Sequence, residues 1–238
     1  RLRGKGNSLA FESGIKAGDS TARFTIPVSD MRLWSLDDPF LYEVSASLTN
    51  GRETDTVSTY FGMRKVSALT IPGKDFKYVA LNNEPLYLKM SLDQSYHPEG
   101  FYTFPSDAFM KEEIMRAKNL GLNGLRIHIK AELPSQLCSA DKYGLLIMED
   151  VPNYWGEPTP ESKANWEYIA EQEILRDYNH PSIFSWVLFN ETWGLFTNDS
   201  IAKRRSYTPE TQEWVRSWYH RAKSIDPTRL VEDNSPCN

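Results

Sequence analysis

The stretch IFSWVLFNETWG, residues 183–194, decides how the chain reads. Seven mostly apolar residues, Ile183 to Phe189, run directly into Asn190 and Glu191, then into Thr192, Trp193 and Gly194. A short, continuous apolar run bounded by turn residues suits a strand buried on both faces, and such strands belong to parallel sheets covered by helices. An amide and a carboxylate at its end would sit where the strand leaves the packed interior.

Runs of the same kind recur on either side. PLYLKM (85–90), GLRIHI (124–129), LLIMED (145–150) and RLVEDN (229–234) are short and apolar, and helical patterns lie between them. The clearest helix spans 106–120. Ser106 caps it, Asp107 suits its first turn, Gly121 ends it, and Phe109, Met110, Ile114, Ala117 and Leu120 form its apolar stripe. Further helices are expected from Pro134 to Gly144, from about Ala164 to Tyr178, and from the cap and N1 proline of Thr208-Pro209-Glu210. Alternating strand and helix means parallel β with crossover helices. No GxGxxG or GxxxxGK[ST] follows an early strand, which argues against a nucleotide-binding sheet. Polar residues cluster at the C-terminal ends of successive strands, the face where (β/α)₈ barrels carry their sites. The expectation is an incomplete (β/α)₈ TIM barrel over 77–238 with five β units.

The earlier part reads as antiparallel β. TARFTIPV (21–28), LYEVSASLT (41–49) and DTVSTYFGM (55–63) alternate apolar and polar residues, with a turn at Asn50-Gly51. Residues 1–76 are expected to form part of an immunoglobulin-like β-sandwich. Only about four strands are visible where such domains have about seven, so the N-terminus reads as cut inside the domain.

Composition sets limits on partners. The chain has 238 residues, a net charge of −5, 40% hydrophobic residues and seven tryptophans. Mild acidity without a basic run argues against nucleic acid. No apolar stretch reaches the ~20 residues of a membrane span, and no signal-peptide core follows Arg1-Leu2-Arg3-Gly4. The compartment stays open, cytoplasmic or secreted. Cys138 and Cys237 lie far apart, and the four histidines form no metal spacing, so neither metal nor cofactor is expected. Five β units leave sheet edges unpaired, which invites pairing with a second copy.

Glu191 is the leading chemical candidate. A carboxylate at a barrel mouth among apolar rings is partly desolvated, which favours its acid form and suits a general acid; capping the next segment or pairing with Arg126 is the structural alternative. Asn190 can donate to a sugar hydroxyl, and Trp155 and Trp193 offer faces on which sugar rings stack. Arg126, His128 and Lys130 alternate along one strand and point the same way, either into a site or into a salt-bridge network with Glu149 or Asp150; Lys130 is the weakest of the three. Asp93 and Gln94 are either substrate contacts or part of an Asx turn. His97, His180 and His220 read as structural or solvated. Glycoside hydrolysis needs two carboxylates. Glu149, Asp150, Glu232, Asp233 and Asp93 are the visible choices for the second, and spacing does not rank them.

The chain resembles glycoside hydrolase family 2, the family of β-galactosidases, β-glucuronidases and β-mannosidases. LWSLDDPFLYEV and STYFGMRKV resemble the end of that family's immunoglobulin-like domain, and LNNEPLYLK its entry to the barrel. ADKYGLLIMEDVP and RDYNHPSIFSWVLFNE resemble its third and fourth barrel strands. The resemblance implies a retaining exo-β-glycosidase acting on a carbohydrate, with Glu191 as acid/base and Asn190 contacting the sugar's 2-hydroxyl. MSLDQS stands where the family pattern is Gly-Val-Asn-Arg-His, and Arg126-Ile127-His128 where it is Arg-x-Ser-His. Arg126 therefore carries over and His128 only approximately. The family nucleophile, a glutamate of the seventh strand, lies beyond Asn238, which demotes the other carboxylates to binding or structural roles and predicts that this chain alone is inactive. The rival reading is a non-catalytic carbohydrate-binding protein or scaffold on the same barrel.

Overall fold

The computed structural model describes residues 2–4, 7–199 and 204–235. Its first sheet is antiparallel, in the order β2 (Asn7–Leu9), β1 (Leu2–Gly4), β3 (Tyr42–Thr49), β4 (Thr54–Phe61). The β3–β4 hairpin closes at the expected turn: Gly51 takes φ +90, and the Asn50 Oδ1 accepts the Arg52 and Glu53 N–H groups. Residues 21–28 form no strand, contrary to the alternation. Both edges of β3 are occupied, by β1 and β4, and the run lies exposed, with Phe24 edge-on to Phe11 at 5.1 Å. A three-stranded sheet follows, β5 (Val66–Thr70), β6 (Lys77–Leu81), β7 (Glu84–Pro85). It straddles the expected division at 76/77.

The partial barrel is a five-stranded parallel sheet in sequence order: β8 (Met90–Asp93), β9 (Gly124–Ile127), β10 (Leu146–Asp150), β11 (Ile183–Val187) and, after the β12 (Thr197–Asp199) and β13 (Arg204–Ser206) hairpin, β14 (Leu230–Glu232). Helices α1 (Asp107–Asn119), α2 (Pro134–Tyr143), α3 (Pro160–Asp177) and α4 (Pro209–Ile225) form the crossovers. Each helix start has a local cause. Ser106, Thr159 and Thr208 accept the N–H groups of Phe109, Ser162 and Thr211, and Pro134, Pro160 and Pro209 stand in the first turns. α3 begins earlier than its hydrophobic pattern implied, because Thr159-Pro160-Glu161 repeats the Thr208-Pro209-Glu210 start. Leu120 is not part of the α1 stripe. It is 80% exposed, since the helix ends there and Leu122 packs on the core in its place.

The first barrel strand also shifts. The run 85–90 contributes Leu86 and Leu88 to a cluster with Trp34, Leu81, Leu146 and Phe184, and only Met90 enters the parallel ladder, opposite Gly124. Along β9 and β10 the pleat separates two faces. Leu125, Ile127 and Ile147 join the large core under the helices, whereas Met148 faces the smaller cluster and Arg126 meets Asp150.

The two units are joined at the N-terminal ends of the parallel strands. Trp34 Nε1 donates to the Asp141 carbonyl at 2.8 Å, and Arg64 donates to the Pro181 and Ile183 carbonyls at 3.1 and 2.9 Å. Tyr60 donates to the Asp141 carboxylate at 2.7 Å, which also takes the Ser182 N–H and lies 2.5 Å from His180 Nδ1. Among the described residues no helix is long and apolar enough to cross a membrane, and no group of three or more His, Cys, Asp or Glu is placed to hold a metal ion. Cys138 is a free thiol, and Cys237 lies outside the described residues.

Candidate active site

The site is built where β9, β10 and β11 end. Every residue from Pro181 to Asn190 is buried, and exposure begins at Glu191. Asn190 is 3% exposed and held on three sides: its N–H donates to Asn153 Oδ1 at 2.7 Å, and its Oδ1 accepts from Arg126 at 2.8 Å and from Ser235 Oγ at 3.1 Å. The Glu191 carboxylate accepts from Trp193 Nε1 at 3.1 Å, and the Trp155 and Trp193 rings lie 3.7 Å apart at 46°. His128, Ile129, Asn153, Tyr154, Trp155, Asn190, Glu191 and Trp193 line one cavity of about 180 Å³. The partial burial expected of Glu191 is not found among the described residues. Its side chain is exposed at the rim, with the indole N–H as its partner.

Beneath the rim the charges are paired. Arg126 grips Asp150 with two parallel contacts, Nε to Oδ1 at 2.9 Å and a terminal nitrogen to Oδ2 at 2.8 Å. Burial pushes the Asp150 carboxyl upward and the Arg126 contact pulls it back. Glu232 is likewise raised by burial, with Arg126 opposing. Lys130 is buried, donates to the Ser95 carbonyl at 2.8 Å and lies 3.5 Å from Glu132, so it serves the loops after β8 and β9 rather than the cavity. His128 does line the cavity, with Nδ1 3.0 Å from Gln94 Oε1. The Asp93 side chain accepts the Ser95 N–H at 2.7 Å, the Asx turn that was one of its two readings, and it is not among the cavity residues.

Glu149 points away from this site. It is fully buried on the helix side, and burial followed by the charge of Asp177 raises it well above the usual carboxylate range. Glu173 of α3, 4% exposed, is raised by burial and by Glu149.

Residues 4–64 match Glycosyl hydrolases family 2, and residues 77–236 match the TIM barrel domain of that family. The chain belongs to glycosyl hydrolases family 2. Among relatives of this family, a β-galactosidase of Thermoanaerobacterium thermosulfurigenes is 28% identical over 85% of this chain, and a β-glucuronidase of Bacteroides fragilis is 26% identical over 90% of it. The chain spans 25% and 30% of their lengths. The crystal structure of a Parabacteroides merdae β-glucuronidase superposes with a TM-score of 0.74 at 22% identity, covering 86% of this chain and 24% of that one. That likeness carries the fold: sandwich-type domain, then partial TIM barrel.

Two polar residues of this family 2 site, Asn153 and Ser235, escaped sequence reading, and Asn234 stood out only as a strand-end polar residue with no role assigned. Asn153 bridges the Val151 and Leu188 carbonyls at 2.7 and 3.1 Å while receiving the Asn190 N–H. Ser235 and Asn234 receive the Glu191 and Thr192 N–H groups. Their one visible signal was their place just after β10 and β14, the strand-end positions that drew attention to Asn190.

Proposed function

We propose that the whole protein is a retaining exo-β-glycosidase and that this chain supplies its acid/base half. Glu191 protonates the glycosidic oxygen and later activates water against the glycosyl-enzyme. The nucleophile is a carboxylate outside this chain. Asn190, its Oδ1 fixed by Arg126 and Ser235, offers its amide N–H to a sugar hydroxyl. Trp155, Trp193 and His128 contact the ring. The observation that carries this reading is a carboxylate and a fixed amide, adjacent in sequence, on one small cavity walled by two tryptophans. The cavity, about 180 Å³, is the part of the site walled by the segments after β9, β10 and β11, and the remainder lies with the nucleophile outside this chain.

The sugar itself follows from neither Arg126 nor Lys130, because Asp150 and Glu132 already occupy them. Relatives named β-glucuronidase and β-galactosidase support trying both substrate classes. The test is turnover of aryl β-glucuronides and β-galactosides by this chain, by the uncut protein and by its Glu191→Gln variant. Turnover is expected from the uncut protein alone. Activity of the isolated chain would make one of its own carboxylates the nucleophile, and an unimpaired Glu191→Gln enzyme would remove Glu191 from the chemistry.

A further inference from the structure

We infer that Asn234 and Ser235, on the segment after β14, are positioning residues that hold the Glu191 turn in a strained backbone conformation and so aim its carboxylate. This rests on the acid/base reading of Glu191 and names what keeps that group in place. Glu191 and Thr192 both adopt left-handed φ, +50 and +63. Neither is glycine, and Thr192 is β-branched, the side-chain type least suited to that region. Strain of this kind persists only where the surroundings over-determine it, and it collects at functional sites.

Beyond the turn's own backbone bonds, Trp193 N–H to the Asn190 carbonyl at 2.9 Å and Leu195 N–H to the Thr192 carbonyl at 3.1 Å, the surroundings here are two adjacent side chains. Ser235 Oγ accepts the Glu191 N–H at 3.2 Å. Asn234 Oδ1 accepts the Thr192 N–H at 2.9 Å and returns its own Nδ2–H to Thr192 Oγ1 at 3.1 Å. The strap is anchored, since the Ser235 N–H donates to the Phe189 carbonyl at 2.9 Å and Ser235 bridges Asn190 in parallel register, extending the β11–β14 ladder past both strands. The same hydroxyl donates to Asn190 Oδ1 and takes a bond from Arg126 at 3.2 Å. Ser235 is 2% exposed, so water does not readily replace it. Without the strap, the turn relaxes toward right-handed φ, which rotates the Glu191 Cα–Cβ bond and withdraws the carboxylate from the cavity and from Trp193.

The experiment compares leaving groups in the uncut protein carrying Asn234→Ala or Ser235→Ala. An alkyl β-glycoside needs its departing oxygen protonated, whereas a dinitrophenyl β-glycoside does not. With the alkyl substrate kcat is expected to fall ~10–100-fold at nearly constant KM, the scale of a small misplacement of a reacting group. With the dinitrophenyl substrate kcat/KM, which reports formation of the glycosyl-enzyme and not its later hydrolysis, stays within about threefold. Adding Thr192→Gly to Asn234→Ala then restores much of the loss, because glycine accepts positive φ without strain. Equal losses on both substrates, or no recovery with Thr192→Gly, would reduce the strap to a stability element. Should Ser235→Ala not fold, Asn234→Asp, which keeps the acceptor, gives the same comparison with a smaller expected loss. Glu191→Gln is the reference: if it shows no leaving-group dependence the acid/base reading fails, and if it alone shows it the strap inference fails.

Discussion

Replacing Glu173 by glutamine tests the electrostatics of the helix-side core. Glu173 is 4% exposed with neither carboxyl oxygen hydrogen-bonded, and Glu149 is fully buried with Oε2 unpartnered. Burial first, then the charge of Asp177 for Glu149 and of Glu149 for Glu173, raises both well above the ordinary value of 4.5. Each therefore holds a proton in the folded state at pH values where the unfolded chain has lost it. Stability from this source is complete below the unfolded value and declines as pH rises toward the folded one. The decline is ~1.4 kcal/mol per pH unit for each group that holds its proton. Glu173→Gln keeps the shape of the neutral acid and deletes the dependence for one group. The stability of the variant relative to the original chain should thus rise with pH between 5 and 6.5, at up to ~1.4 kcal/mol per pH unit for as long as Glu173 holds its proton. Glu132, which is not among the charges that shift Glu173, remains in both proteins and cancels in that difference. Urea unfolding followed by tryptophan fluorescence across this range measures it. Two curves that stay parallel would mean that Glu173 is ionised in the folded state and that the argument from burial is wrong.

Two further substitutions probe packing. At Gly194, φ is +76 and an added Cβ would come within 2.9 Å of a Tyr154 ring carbon and 3.0 Å of its carbonyl oxygen, so Gly194→Ala is expected to cost about 2–4 kcal/mol in thermal unfolding, and a cost under ~1 kcal/mol would contradict that geometry. Asp141→Asn leaves a buried amide where one carboxylate serves Tyr60, Ser182 and His180, and a loss of about 2–4 kcal/mol in urea unfolding is expected, whereas an unchanged midpoint would show that the joint does not depend on the charge.

Local signals were the legible ones. Capping and N1 proline placed the start of α4, and the same Thr-Pro-Glu signal at 159–161 marks the start of α3 once hydrophobic periodicity is given less weight. The β3–β4 hairpin was legible because Asn50 and Gly51 define the turn themselves. Strand competition was not legible. Residues 21–28 alternate correctly but find both edges of β3 taken, and residues 85–90 are apolar because Leu86 and Leu88 fill the lower cluster. At the site, Asn190 and Glu191 announce themselves by ending an apolar run. Asn153, Asn234 and Ser235 act on that run across 37 to 44 residues, and nothing in their own neighbourhood reveals the partner. Lys130 shows the converse, an in-register basic residue whose charge is used by a buried acid.

The joint between the sandwich and the barrel uses Trp34, Tyr60 and Arg64 on one side, and Asp141, His180, Pro181, Ser182 and Ile183 on the other. All of the barrel residues precede β10 or lie at or before the first residue of β11, whereas the cavity residues follow the strand ends. The rigid strands thus keep two sets of side chains apart, one fastening the units and one facing the ligand. Loop grafting exploits that separation: the segments after β9 and β10 can be exchanged for those of a family 2 relative without touching a residue of the joint. Exchanging the whole sandwich would break the seam at Trp34 and Arg64 and leave the cavity's residues as they are. Selectivity is therefore the trait this architecture leaves open to redesign by short insertions, and the fastening of its two units is the one it protects.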